Sequence, residues 1–88
     1  MAPVPDVDRA HPHSIRNRPE ILASERCGCF YCLRTFAPAE VDGWLAVEHT
    51  ALCPYCGIDS VLGSASGFPV TAEFLRRMHA RWFDTKSG

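Results

Sequence analysis

Residues 27–32 read CGCFYC and residues 53–57 read CPYCG, so Cys29 with Cys32 and Cys53 with Cys56 form two CxxC pairs separated by twenty residues. A CxxC pair on a tight turn can aim both thiolates at one point, and four thiolates complete the tetrahedral shell of a structural zinc ion. Twenty residues are enough for a hairpin that carries the second pair back against the first. Cys29, Cys32, Cys53 and Cys56 are therefore read as the ligands of one structural zinc site, with no open position for catalysis. A redox CxxC would need a low-pKa thiol at a helix start, and the doubling of the pair argues against it. Four unligated buried cysteines would leave the doubled spacing unexplained.

Cys27 makes the cysteine count odd, and its single-residue spacing from Cys29 is wrong for the knuckle. It is expected as a buried free thiol beside the site. With four cysteines available, His11, His13 and His79 are not needed as ligands and are expected to be ordinary surface residues.

The chain has 88 residues and a formal net charge of −1. A core of that size is marginal by itself. Structural zinc in finger peptides supplies on the order of 10 kcal/mol of apparent binding free energy, comparable to the whole stability of a domain. The near-zero charge gives no broad field for nucleic acid. Pro3, Pro5, Pro12 and Pro19, with Asp6 and Asp8, leave no apolar run at the start, so neither a secretory signal nor a membrane span is expected. Free cysteines in metal-binding spacing suit a cytoplasmic protein.

The expected organisation is a flexible tail over residues 1–16, a single zinc-binding domain over 17–84 and a flexible end over 85–88. Asn17, Pro19 and Glu20 suggest a short helix capped by Asn17, with Ile21 and Leu22 facing inward. Phe36 is a core candidate, and residues 38–41 suit one helical turn. Residues 44–47 and 50–52 read as a hairpin turning at Glu48 and His49, although the turn lacks Gly or Asn. Residues 58–62 read as a short helix closed by Gly63. Thr71 can cap a last helix over residues 72–83, whose stripe of Phe74, Leu75, Met78 and Trp82 should pack on the zinc module.

The fold class expected is thus a small α+β zinc-binding domain: knuckle, β-hairpin, short helix and a C-terminal amphipathic helix. CFYCLRTF, a hairpin and then ALCPYCG leading into a helix resemble a treble-clef zinc finger, with the zinc ribbon as the close alternative. CGCFYC, CPYCGIDSVLGSASG and FLRRMHARWF together resemble an uncharacterised family of small bacterial cytoplasmic proteins, which implies a localisation and no activity.

The leading expectation is a non-enzymatic zinc-finger module that binds a macromolecule, protein in preference to nucleic acid. Some treble clefs are nucleases of the His-Asn-His kind. Here His49 beside Glu48 and Asp59 after the second knuckle give a partial match, without the second His or Asn on the helix. Zinc or redox sensing through Cys27 is a further alternative. Arg76, Arg77 and Arg81 on the last helix form either a solvated face or a contact for phosphates or carboxylates, and Phe83 is left near that basic edge.

Overall fold

The CGC tripeptide that leads into the first knuckle is the central strand of the larger sheet. In a computed structural model that describes residues 7–83, β1 (Cys27–Cys29) lies between β2 (Thr35–Phe36) and β5 (Val61–Gly63), antiparallel to both. A second sheet pairs β3 (Gly43–Leu45) with β4 (Thr50–Leu52). Three short helices flank them: α1 (Val7–Ala10), α2 (Arg18–Leu22) and α3 (Ala72–Trp82), with single 3₁₀ turns at His11–Ser14, Pro38–Glu40 and Ser64–Ser66.

Strand alternation divides the interior in two. Cys27 pairs with Phe36 and Gly63, and Cys29 pairs with Val61, so these side chains share one face. There Cys27, Cys29, Phe36 and Val61 meet Ile21, Val41, Ala51 and Cys53. Leu62, opposite Gly28, points the other way and joins Phe30, Phe74, Leu75, Met78 and Ala10. The β1–β5 pair is the wall between the cysteine-rich core and α3. Gly28 makes the close approach possible: a Cβ there would lie 2.8 Å from Leu75 Cδ1 and 2.9 Å from Val70 Cγ1.

α3 starts as its sequence indicates, with Thr71 Oγ1 accepting a hydrogen bond from the Phe74 amide at 3.1 Å. Phe74, Leu75 and Met78 are buried. Trp82 is only half-buried, because it lies at the end of the helix beyond the sheet. Its indole Nε1 donates to Val7 O at 3.1 Å, and its ring packs at a tilt of 37° against His11 with centroids 4.0 Å apart. An eleven-residue helix is marginal alone. Its cover comes from the back of the sheet and from α1, not from the face that carries the cysteine cluster.

The expected tail over residues 1–16 is folded from Val7 onward, while residues 1–6 and 84–88 lie outside the described residues. Ala10 is fully buried against α3, and Ser14 is 2% exposed. Asn17 departs from the capping role expected of it: its side chain makes no cap bond. It is instead buried, donating through Nδ2 to His13 O and Val61 O, both at 2.9 Å, and accepting at Oδ1 from the Ala51 amide at 3.0 Å. One amide side chain thus ties the N-terminal segment to β5 and β4. Leu22, expected to face inward, is 59% exposed, whereas Ile21 is buried.

Two further expectations are corrected. The helix expected over residues 58–62 is not formed; Val61–Gly63 is β5. The stretch between Gly57 and Gly63 has little local helical bias, and the open edge of β1 offers Val61 and Leu62 a buried pairing instead. In the hairpin the strand expected over residues 44–47 stops at Leu45. Without a Gly or Asn for a two-residue turn, the chain uses a four-residue loop closed by His49 N donating to Leu45 O at 2.7 Å, with His49 left-handed at φ 55°.

Candidate metal centre

The two CxxC segments adopt the same backbone trace. In the first, the Cys29 amide donates to Arg34 O at 2.9 Å, the Leu33 amide to Cys29 O at 2.8 Å and the Tyr31 amide to Cys29 Sγ at 3.3 Å. In the second, the Cys53 amide donates to Ile58 O at 3.0 Å, the Gly57 amide to Cys53 O at 2.9 Å and the Tyr55 amide to Cys53 Sγ at 3.3 Å. Both turns need a left-handed residue at the fifth position, supplied by Leu33 at φ 70° and Gly57 at φ 80°. The β3–β4 hairpin lies between the two knuckles in the chain, and the four sulfurs converge.

All four sulfurs lie within 4.8 Å of one another. Cys29 Sγ to Cys56 Sγ and Cys32 Sγ to Cys53 Sγ are each 3.7 Å. A tetrahedron with zinc–sulfur bonds of about 2.3 Å has edges of roughly 3.8 Å, and a disulfide would bring the sulfurs to about 2.05 Å. The four sulfurs are close enough together to hold one metal ion, and the cysteines are free thiols.

The electrostatic environment differs from one sulfur to the next. Burial pushes the Cys29 thiol well up, against the lowering effect of the Cys32 and Tyr31 amides, and the neighbouring Cys53 and Cys32 thiols add repulsion. Burial also raises Cys56, opposed by the Ile58 amide. At Cys53 burial raises the thiol too, but the Cys56 and Tyr55 amides and the sulfur contacts to Cys32 and Cys56 outweigh it and leave the thiol lowered. Four thiolates at this spacing repel one another, and a divalent cation removes that repulsion and deprotonates its ligands outright.

Contacts that sequence reasoning missed brace each knuckle. The Tyr55 hydroxyl donates to Glu40 Oε1 at 2.7 Å while Glu40 Oε2 accepts from the Ala37 amide at 2.9 Å, holding the Glu40 carboxyl below its ordinary range. The Arg34 guanidinium lies 4.9 Å over the Tyr55 ring. His79, expected as a surface residue, is half-buried and donates from Nδ1 to Phe30 O at 3.1 Å, fastening the first knuckle to α3. His13, likewise half-buried, pairs with Glu20 at 3.0 Å. No local sequence signal marks these pairs, because their partners are brought together by the fold.

Cys27 lies outside the quartet and is fully buried, its thiol pushed up to about 11 by burial. It shares a face with Cys29 but sits one strand repeat away, roughly 6.6 Å along β1, too far to reach the same ion. We expect native protein to leave Cys27 unmodified by iodoacetamide until it is unfolded, and Cys27→Ser to retain full metal content; loss of metal in that variant would overturn the ligand assignment.

The knuckle geometry makes a second expectation. Gly57→Ala forces a Cβ into the left-handed region and should cost about 1 kcal/mol, whereas Leu33→Gly relieves the equivalent strain and should be neutral or stabilising in urea titrations. Equal costs at both positions would contradict the shared trace.

Other sequence-designated residues are dispersed. His49 stands at the hairpin turn, and among the described residues no metal-holding group includes it or Asp59. Arg77 pairs with Glu73 at 3.1 Å, and Arg81 pairs with Asp8 at 2.7 Å while covering Trp82, so two of the three helix arginines already have partners within the chain. Phe83 is 37% exposed and packs edge-on to Tyr31. No described helix is long and apolar enough to cross a membrane. No protein-family model, curated protein or solved structure matches the chain.

Proposed function

We propose that this chain is a small zinc-finger module in which one structural zinc ion, held by Cys29, Cys32, Cys53 and Cys56, fixes a surface for a macromolecular partner. The observation that carries the reading is the pair of knuckles with matching hydrogen bonds whose four sulfurs lie within 4.8 Å of one another, two pairs of them at 3.7 Å. A closed shell stabilises; it has no vacant position for substrate. A strand after the second knuckle, with antiparallel pairing around the site, favours the zinc-ribbon alternative over the treble clef, whose helix at this place is absent from the described residues.

Protein is favoured over nucleic acid as partner because the chain carries net charge −1 and pairs Arg77 and Arg81 internally. A reducing, cytoplasmic setting fits five free cysteines, four of them grouped for metal. Elemental analysis of purified chain tests the first half, with one zinc per chain expected and zero or two refuting it. Affinity purification from nuclease-treated native lysate tests the second: partners that persist support a protein-binding module, and partners lost with the nuclease refute it.

A further inference from the structure

Away from the metal, a groove of about 550 Å³ runs between α2 and the tip of the β3–β4 hairpin, lined chiefly by Arg16, Arg18, Leu22, Val47, Glu48 and His49. We infer that it is a docking site for a peptide segment of a protein partner that places carboxylates beside apolar side chains. This rests on the protein-binding reading above and names its surface.

Three observations converge on that occupant. The first is charge: two arginines and one glutamate line the groove, and neither arginine has an ion pair among the described residues. Arg18 is held 4.8 Å over the Trp44 ring, which limits its freedom before any ligand arrives. Guanidinium forks bind carboxylates through two parallel hydrogen bonds.

The second is apolar exposure within the same groove: Val47 is 93% exposed and Leu22 is 59% exposed. Apolar walls serve a side chain better than they serve a phosphate backbone, and a volume of this order suits a few residues of extended peptide. The third is backbone strain. Of the three non-glycine residues with positive φ among the described residues, Leu33 is explained by its knuckle and His49, at 55°, by its hairpin turn; the third, Arg16 at 51°, lines this groove together with His49. They are locked by the Arg16 amide donating to Thr50 Oγ1 at 2.8 Å and the Arg18 amide donating to His49 O at 3.1 Å. Left-handed backbone at non-glycine residues persists only where surrounding bonds hold it, and here it sets the groove's two walls against each other.

The test is an amide NMR titration of the zinc-loaded full chain with a synthetic peptide of alternating glutamate and leucine. Its lysine–leucine counterpart, a thymidine oligonucleotide and inorganic phosphate run in parallel. The acidic peptide should shift the resonances of Arg16, Arg18, Leu22 and residues 47–49. Arg16→Gln with Arg18→Gln should weaken it by about tenfold or more, as for loss of charge-assisted contacts. Val47→Asp, at a side chain with no packing role, should weaken it while the spectrum stays dispersed and the zinc content unchanged. Shifts confined to another face, equal binding of the lysine peptide, or saturation by the oligonucleotide or phosphate alone would each overturn the inference. Its failure leaves zinc stoichiometry and native partner capture intact, whereas failure of the wider reading appears in those two measurements.

Discussion

Cys53→Ser should abolish stoichiometric zinc binding and leave the chain largely unfolded, with a collapse of amide dispersion in NMR and loss of the cooperative thermal transition. The size of the effect follows from the opposing terms. An 88-residue chain buries too little for a wide margin, and the apparent binding free energy of structural zinc, on the order of 10 kcal/mol, rivals the whole stability of a domain. Cys53 is also a structural hub: it is 3% exposed, its amide and carbonyl close the second knuckle, and its sulfur lies 3.7 Å from Cys32 Sγ. A strong chelator acting on the unaltered chain should reproduce the phenotype, and added zinc should reverse it. A folded, metal-free Cys53→Ser protein with native dispersion would show that the metal is not what holds the fold. Acid should act in the same direction, because burial raises Cys29 and Cys56 and protons then compete with the ion for those sulfurs.

Asn17→Ala should be the most damaging single change outside the four-cysteine group, at about 4 kcal/mol in urea unfolding, with any bound zinc retained. The side chain is 3% exposed and makes three hydrogen bonds to main chain from three separate elements. Its removal leaves His13 O, Val61 O and the Ala51 amide without their partner, and each buried orphan costs roughly 1–3 kcal/mol. Asn17→Asp separates hydrogen bonding from volume. It keeps an acceptor for Ala51 but sets a carboxylate oxygen against two carbonyls, so it should be no better than Ala. A cost below about 1 kcal/mol for Asn17→Ala, the size of an ordinary surface substitution, would refute the tethering role.

Chemistry concentrated within a few residues was legible in the sequence. Two CxxC pairs announce a convergent thiolate site because their spacing encodes a local turn, and that turn is closed by its own amides in both copies. Thr71 and the stripe through Phe74, Leu75 and Met78 mark α3 for the same reason: capping and a 3.6-residue period are local properties. That Cys27 stands apart from the four-cysteine group also followed from spacing.

What needed the tertiary structure was whatever depends on a distant partner. Residues 58–62 have mixed local preference, and the free edge of β1, far back in the chain, decides for a strand at Val61–Gly63. The segment from Val7 to Asn17 has little that would fold alone; α3 and the two sheets supply the buried contacts and hydrogen-bond partners that order it. The same holds for His79 on Phe30, for Arg81 on Asp8, and for the groove between α2 and the hairpin. Sequence alone determined the thiolate quartet and the last helix, because both are written in short-range spacing. The tertiary structure decided which way each ambiguous segment folded, because backbone groups and apolar side chains with weak local bias adopt the state in which a remote element can satisfy them.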